Sequence, residues 1–149
     1  MAVRDATAAD LEALLPLMRA YCDFYEADPA DEGLREMASA VIGMDDDEGI
    51  LLVAEDGERA GVVGFAAVSW KWSSLRGARI AFLDDLFVHP DARGAGHADA
   101  LIGECARRAR DHGAPAMSWL TAPDNHRART VYDRNGATSE TFLEYELEL

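Results

Sequence analysis

The chain has 149 residues, of which 49% are hydrophobic and 28% charged, enough for one domain with a real core and too few for two comfortable ones. A formal net charge of −14 argues against a surface built to attract phosphate with Lys and Arg, so no nucleic-acid partner is expected. The same acidity is compatible with a cationic substrate.

Cys22 and Cys105 make no disulfide framework, and no Cys/His cluster has zinc spacing, so no metal is expected. The N-terminus has no signal-peptide apolar region, and no apolar run approaches a membrane span. A cytoplasmic protein with no membrane partner is the expectation.

Val3 to Ala6 predicts a short strand. Thr7-Ala8-Ala9-Asp10 has the capping-box form and starts a helix. Leu11, Leu14, Leu15, Met18, Cys22 and Tyr25 follow at helical spacing, with Pro16 expected to kink that helix or split it. Asp31 to Val41 predicts a second helix. Gly49 to Glu55 and Arg59 to Trp72 read as strands joined by the Asp56-Gly57 turn. Trp70 and Trp72 share a strand face and could line a pocket or a subunit interface.

Ile80 to Val88 is apolar except for Asp84 and Asp85, which suits a strand buried on both faces. Pro90 stops it. Gly94 and Gly96 allow a sharp turn and leave amides uncovered. Ala98 to Arg110 has helical composition, ending near His112-Gly113. Ala116 to Leu120 predicts a strand, His126 to Arg134 a helix, and Thr141 to Leu149 a last strand by its alternation. The order is β-α-α-β-β-β-α-β-α-β, a mixed α/β sheet with helices on both faces and no repeat or linker.

Unpaired N–H groups at the start of the third helix, beside Arg93, make an anion site that suits a pyrophosphate. A nucleotide-triphosphate loop would need Gly-Lys-Ser/Thr, which is absent. A dinucleotide fingerprint fails at Asp99, where its third glycine would stand. The spacing Arg-x-x-Gly-x-Ala, formed by Arg93, Gly96 and Ala98 after a Leu-Phe-Val-His-Pro strand end, resembles the acetyl-CoA loop of the GCN5-related N-acetyltransferases (GNAT). Trp119-Leu120-Thr121 followed by Asn125, Ala128, Tyr132, Gly136 and Ala137 resembles that family's C-terminal signature.

The resemblance implies a single N-acetyltransferase domain over 1–149, with the mostly antiparallel GNAT sheet flanked by helices. It implies acetyl-CoA as cofactor and CoA as product. Phe87, Val88, Arg93, Gly94, Ala95, Gly96, His97, Ala98, Asn125 and Arg129 would hold it, the pantetheine arm running between the central strand and residues 116–120. It also implies a homodimer. In the family the tyrosine matching Tyr132 can protonate the departing thiolate. From spacing alone, Asn125, Ala128 and Tyr132 share one helix face.

Neighbouring strand residues point to opposite faces, so Asp84 and Asp85 are expected on opposite sides, at least one facing a polar cleft. An alkylammonium has a pKa near ~10.4, so only about one molecule in a few thousand is neutral at pH 7 and direct acyl transfer calls for a base. The family often carries Glu or Asp at the position of Asp84, which favours Asp84 as base. Asp85 is the alternative base and otherwise a substrate contact.

Within the superfamily the chain resembles the diamine and polyamine N-acetyltransferases, through Val3 to Asp10, Val63-Gly64-Phe65-Ala66, Leu83 to Val88 and Gly136-Ala137. Tyr21, Phe24, Tyr25 and Glu26 would form an aromatic, acidic wall for a cation; an amphipathic helix packed on the sheet is the other reading. Ser73 and Leu75 replace the acidic residue and Trp that those enzymes tend to carry, and His97 replaces the loop's usual apolar residue. The expected activity is direct acetyl transfer to a primary amine of a small cationic molecule. The rivals are a peptide, protein or aminoglycoside-like amine as acceptor, and an acyl-CoA-binding sensor without turnover.

Overall fold

The computed structural model describes residues 2–149. The chain divides into two compact units, Met1–Trp119 and Leu120–Leu149. The first unit runs through β1 (Ala2–Asp5), a 3-10 turn (Ala8–Asp10), α1 (Leu11–Phe24), α2 (Asp31–Ile42), β2 (Gly49–Asp56), β3 (Gly61–Ser73) and β4 (Ala78–Val88). A second 3-10 turn (Pro90–Ala92), α3 (His97–Asp111) and β5 (Met117–Ser118) complete it. The second unit holds α4 (His126–Arg134).

The strands lie in the order β1-β2-β3-β4-β5. The first three pairings are antiparallel and come from local connections; β4 and β5 are parallel, which requires a long crossover, and α3 supplies it. The expected mixed, mostly antiparallel sheet with helices on both faces is therefore present.

Each face has its own core. Leu14, Leu17 and Met18 of α1 recur at helical spacing and pack, with Leu34 and Ala38 of α2, on Leu51, Val53, Phe65, Ala67 and Phe87. On the opposite face Leu101, Cys105 and Ala109 of α3 cover Leu52, Ala66, Val68, Leu83 and Val88. Burying a Leu or Phe side chain contributes roughly 1.5–3 kcal/mol, so both cores are needed to hold a strand apolar on both sides.

Three expectations are corrected. Of the two outcomes expected at Pro16, a kink or a split, the split does not occur: α1 is continuous through it. Pro16 is exposed, so the Glu12 carbonyl it leaves without an amide lies where water can reach it. The strand expected over 116–120 contracts to Met117–Ser118, paired only with Ala81 and Phe82. No strand forms over 141–149, where Phe142, Leu143, Tyr145 and Leu147 are exposed. Alternation names a strand's two faces without supplying a neighbour, and the second unit contains no other strand. Of the two tryptophans, Trp70 is buried and stacks on His112 at 4.1 Å, while Trp72 is exposed.

A charged cluster fixes the first strand. Arg4 forms a two-pronged pair with Asp10 (2.8 and 2.9 Å) and also reaches Glu55 on β2 (2.6 Å). Asp10 accepts from the Thr7 amide as well, at 2.7 Å, so the expected capping box is present and tied to the sheet. The Arg4 hydrogen bonds hold the Asp10 carboxyl down at about 2 against a desolvation cost that pushes it up. Because the folded value lies below the ordinary ~3.9, this contribution is complete above that range and is lost as pH falls through about 2. Urea midpoints from pH 5 to pH 2 should therefore fall, and Asp10→Asn should flatten part of that fall while lowering stability by ~1–3 kcal/mol at pH 7. Equal pH slopes in the two proteins would rule this account out.

Candidate active site

The site begins with a mismatch in strand pairing. Ala67 of β3 lies opposite Asp85, and the next residue, Val68, lies opposite Leu83, so Asp84 is an extra residue on β4. Such a bulge changes which way the following side chains point. Leu83, Leu86 and Val88 all pack on the α3 side, whereas Phe87 packs on the α1 side.

The bulge corrects the expectation that the two aspartates face opposite ways. The Ser69 side chain lies close enough to Asp84 to oppose the rise of its carboxyl, and Ser69 follows Phe65 and Ala67 along the face of β3 that α1 covers. The Tyr21 side chain of α1 lies close enough to Asp85 to act on its carboxyl in the same way. Both carboxylates therefore lie on the α1 face. Desolvation raises both carboxyls above the ordinary aspartate value. Ser69 and the Lys71 charge oppose this at Asp84; at Asp85 the Tyr21 side chain opposes it and the charge of Asp84 adds to it.

The end of α1 walls this face with rings. Tyr21 meets Phe65 and Phe87 edge-on at 6.0 and 6.2 Å, Tyr25 meets Tyr21 at 5.0 Å, and Phe24 meets Tyr25 at 5.0 Å. Tyr21 is part-buried, while Phe24 and Tyr25 are exposed. The field of Asp85 reaches Tyr25, whose hydroxyl is raised first by desolvation and then by that charge. Tyr21, Tyr25 and Asp85 are thus gathered in one place. Glu26 is exposed in a left-handed conformation (φ 56°) beyond the end of the helix, and no contact joins its side chain to the aspartates.

Beyond Phe82, β4 has β3 on one side and no paired strand on the other. The His89 amide donates to Val63 at 2.8 Å; strand alternation then turns the Leu86 and Val88 amides toward the open edge. The chain continues into the glycine turn. Gly94 (φ 83°) and Gly96 (φ 85°) both adopt the left-handed conformation that glycine accepts without strain. Ala100 donates to Gly96 at 3.0 Å, so the His97 and Ala98 amides precede the first carbonyl that α3 can offer them. Arg93 is aimed by its Nε bond to the Val88 carbonyl (3.0 Å) and by its stacking 5.6 Å from the Phe87 ring centre.

In the second unit Asn125 caps α4, its side chain accepting from the Ala128 amide at 3.4 Å and donating to Thr121 Oγ1 at 3.2 Å. Asn125, Ala128 and Tyr132 are all part-buried, whereas His126, Arg127, Arg129 and Thr130 are exposed, as the shared helix face requires. The Arg129 guanidinium bonds the Pro123 carbonyl at 2.8 Å.

Residues 14–137 match the Acetyltransferase (GNAT) family. The chain belongs to that family. This GNAT protein is an acetyl-CoA-dependent N-acetyltransferase. It is similar to the uncharacterized N-acetyltransferase YhfO of Bacillus subtilis (strain 168), at 31% identity over 100% of this chain and 98% of that protein. It is 30% identical to the thialysine N-epsilon-acetyltransferase of Bos taurus over 62% of this chain and 55% of that one. The crystal structure of a probable acetyltransferase superposes with a TM-score of 0.85 at 29% identity, covering 100% of this chain and 98% of that one. None of these likenesses singles out a diamine or polyamine branch.

The donor set of this acetyltransferase fits acetyl-CoA. Amides ahead of α3 and the aimed Arg93 suit a pyrophosphate, and an open strand edge suits an arm that carries its own amide groups. His97 joins this set through its backbone only. Its side chain is 2% exposed, points inward, and has neither ring nitrogen hydrogen-bonded; Nε2 lies 3.6 Å from Asp56 Oδ2. Ser69 and Lys71 escaped the sequence reading, because only the bulge brings Asp84 onto their face. A separate groove of about 600 Å³ between α1 and α2 takes no lining from β4 or the glycine turn, and its charged walls pair with each other. Among the described residues no group of His, Cys, Asp and Glu could hold a metal ion, and no helix is long and apolar enough to cross a membrane.

Two variants separate backbone from side chain in the turn. Gly96→Pro deletes an amide and imposes φ near −65°, so KM for acetyl-CoA should rise at least ten-fold. His97→Leu keeps the amide and removes two unsatisfied buried nitrogens; it should leave that KM within two-fold and raise stability by ~1 kcal/mol. Initial-rate kinetics and thermal melts decide, and the reverse pattern would assign the role to the imidazole.

Proposed function

We propose that the whole chain works as one acetyltransferase domain that moves an acetyl group directly to a primary amine of a small cationic molecule. The observation that carries this reading is the pair of raised carboxyls on the α1 face, beside Tyr21 and Tyr25 and next to the open edge of β4. A carboxylate pair attracts an ammonium ion, and aromatic faces favour a cation. The name of the bovine relative, an acetyltransferase of an amino-acid side-chain amine, supports the same class of acceptor.

Acetyl-CoA supplies the activated acyl group when bound. Arg93 and the amides of residues 94–98 hold its pyrophosphate, with Phe87, Val88, Asn125 and Arg129 as further contacts. Asp84 takes the proton from the ammonium, and a raised carboxyl is a better acceptor than an ordinary one. Asp85, oriented by Tyr21, holds the ammonium, and Phe24, Tyr25 and Glu26 border its approach. Tyr132 gives its phenolic proton to the departing sulfur; the family signature and the shared face with Asn125 and Ala128 support that role. Resemblance supports a homodimer, which light scattering would test.

Asp84→Asn should lower kcat/KM ~10²- to 10⁴-fold at pH 7, and the loss should narrow toward pH 10, where free amine is abundant. Parallel pH–rate profiles would remove Asp84 as base. Tyr132→Phe should lower kcat by a similar factor; a two-fold change in a chemistry-limited assay would make Tyr132 a packing residue. Amine-stimulated thiol release separates the enzyme from a sensor, which would bind acetyl-CoA without it.

A further inference from the structure

The chain contains a single lysine, Lys71. It stands on β3 opposite Ile80, two residues after Ser69 on the same strand face. Its Nζ lies 5.0 Å from the Phe82 ring centre. Phe82 pairs with Ser69, and both Ser69 and the Lys71 charge act on the Asp84 carboxyl. The lysine ammonium therefore shares the face that carries the two carboxylates, held there by an aromatic ring rather than by an ion pair.

We propose that Lys71 selects acceptors by charge, favouring those of net charge +1 and turning away amines whose second ammonium has no carboxylate beside it. This rests on the amine-transfer reading above. Two carboxylates and one fixed ammonium leave a net charge of −1 on this face. A monocation matches it. A dication that places one nitrogen at Asp84 and extends along β3 brings its second nitrogen toward Lys71 and meets repulsion. In a partly solvated cleft, like charges ~7 Å apart at an effective dielectric of ~40 repel by an amount that changes rates about ten-fold. The Phe82 ring fixes where that charge stands, so the selection is positional as well as global.

The test compares n-pentylamine with cadaverine, which differ by one terminal ammonium, by kcat/KM at fixed ionic strength on the wild type, Lys71→Met and Lys71→Arg. Met keeps an unbranched stem over Phe82 and removes the charge; Arg keeps the charge. The wild type should favour pentylamine. Lys71→Met should raise the cadaverine-to-pentylamine ratio about ten-fold, with the gain shrinking at high salt, and Lys71→Arg should keep the wild-type ratio. Turnover of both amines with the same ratio in all three proteins would overturn the role of Lys71 and leave the amine-transfer reading standing. A wild-type preference for cadaverine would also overturn it. No turnover of either amine, with acetyl-CoA still bound, would overturn both. Mass spectrometry of the protein after incubation with acetyl-CoA supplies a further check: an acetyl group on Lys71 would make it an acceptor and end its case as a selector.

Discussion

The site depends on one constraint: β4 carries one residue more than the stretch of β3 it pairs with. The strand must bury apolar side chains on both faces, because helices cover both. Without the extra residue, strict alternation would send one of two adjacent aspartates into the α3 core, where an unpaired carboxylate is costly. The bulge at Asp84 absorbs the conflict. Leu83 and Leu86 reach the α3 core, and both acids remain on the side where Tyr21, Ser69 and Lys71 can meet them.

The same strand leaves one of its edges unpaired near its end. β5 stays beside β4 for only two residues, and on the edge beyond it the Val88 carbonyl is taken by Arg93 while the Leu86 and Val88 amides turn outward. The strand then runs through His89 into a turn whose two left-handed glycines deliver amides to the start of α3. Arg93 is braced by the strand's own last residues, Phe87 and Val88. One continuous segment thus carries the carboxylates, the open edge and the glycine turn, which fixes their relative positions through backbone geometry rather than through long side chains.

Net charge says little about where the charge acts. Much of the acidity of this chain is neutralised locally by arginine: Arg4 with Asp10 and Glu55, Arg108 with Asp5 and Glu104, Arg19 with Asp28 and Asp31. The pair at β4 is different, being opposed by hydroxyls and by a lysine that makes no ion pair with either acid. That contrast separates acids tied into ion pairs across the fold from two acids whose neighbours leave them without one.

The sequence determined the order of elements through β4 and α3, the glycine turn and the span of α4, because these rest on local chemistry, and its motifs pointed to the family. Periodicity, proline, glycine and capping residues act within a few positions of themselves and can be read in a line. It also marked Asp84, Asp85 and Tyr21 as candidates by residue type, and Tyr132 by its resemblance to the family's C-terminal signature. The tertiary structure alone decided that both aspartates share a face, since a bulge exists only relative to a partner strand. It alone decided that His97 points inward, that Pro16 sits within an unbroken helix, and that alternation over 141–149 produces no strand. Each of those outcomes depends on which neighbour arrives from elsewhere in the chain, and no local pattern encodes the neighbour.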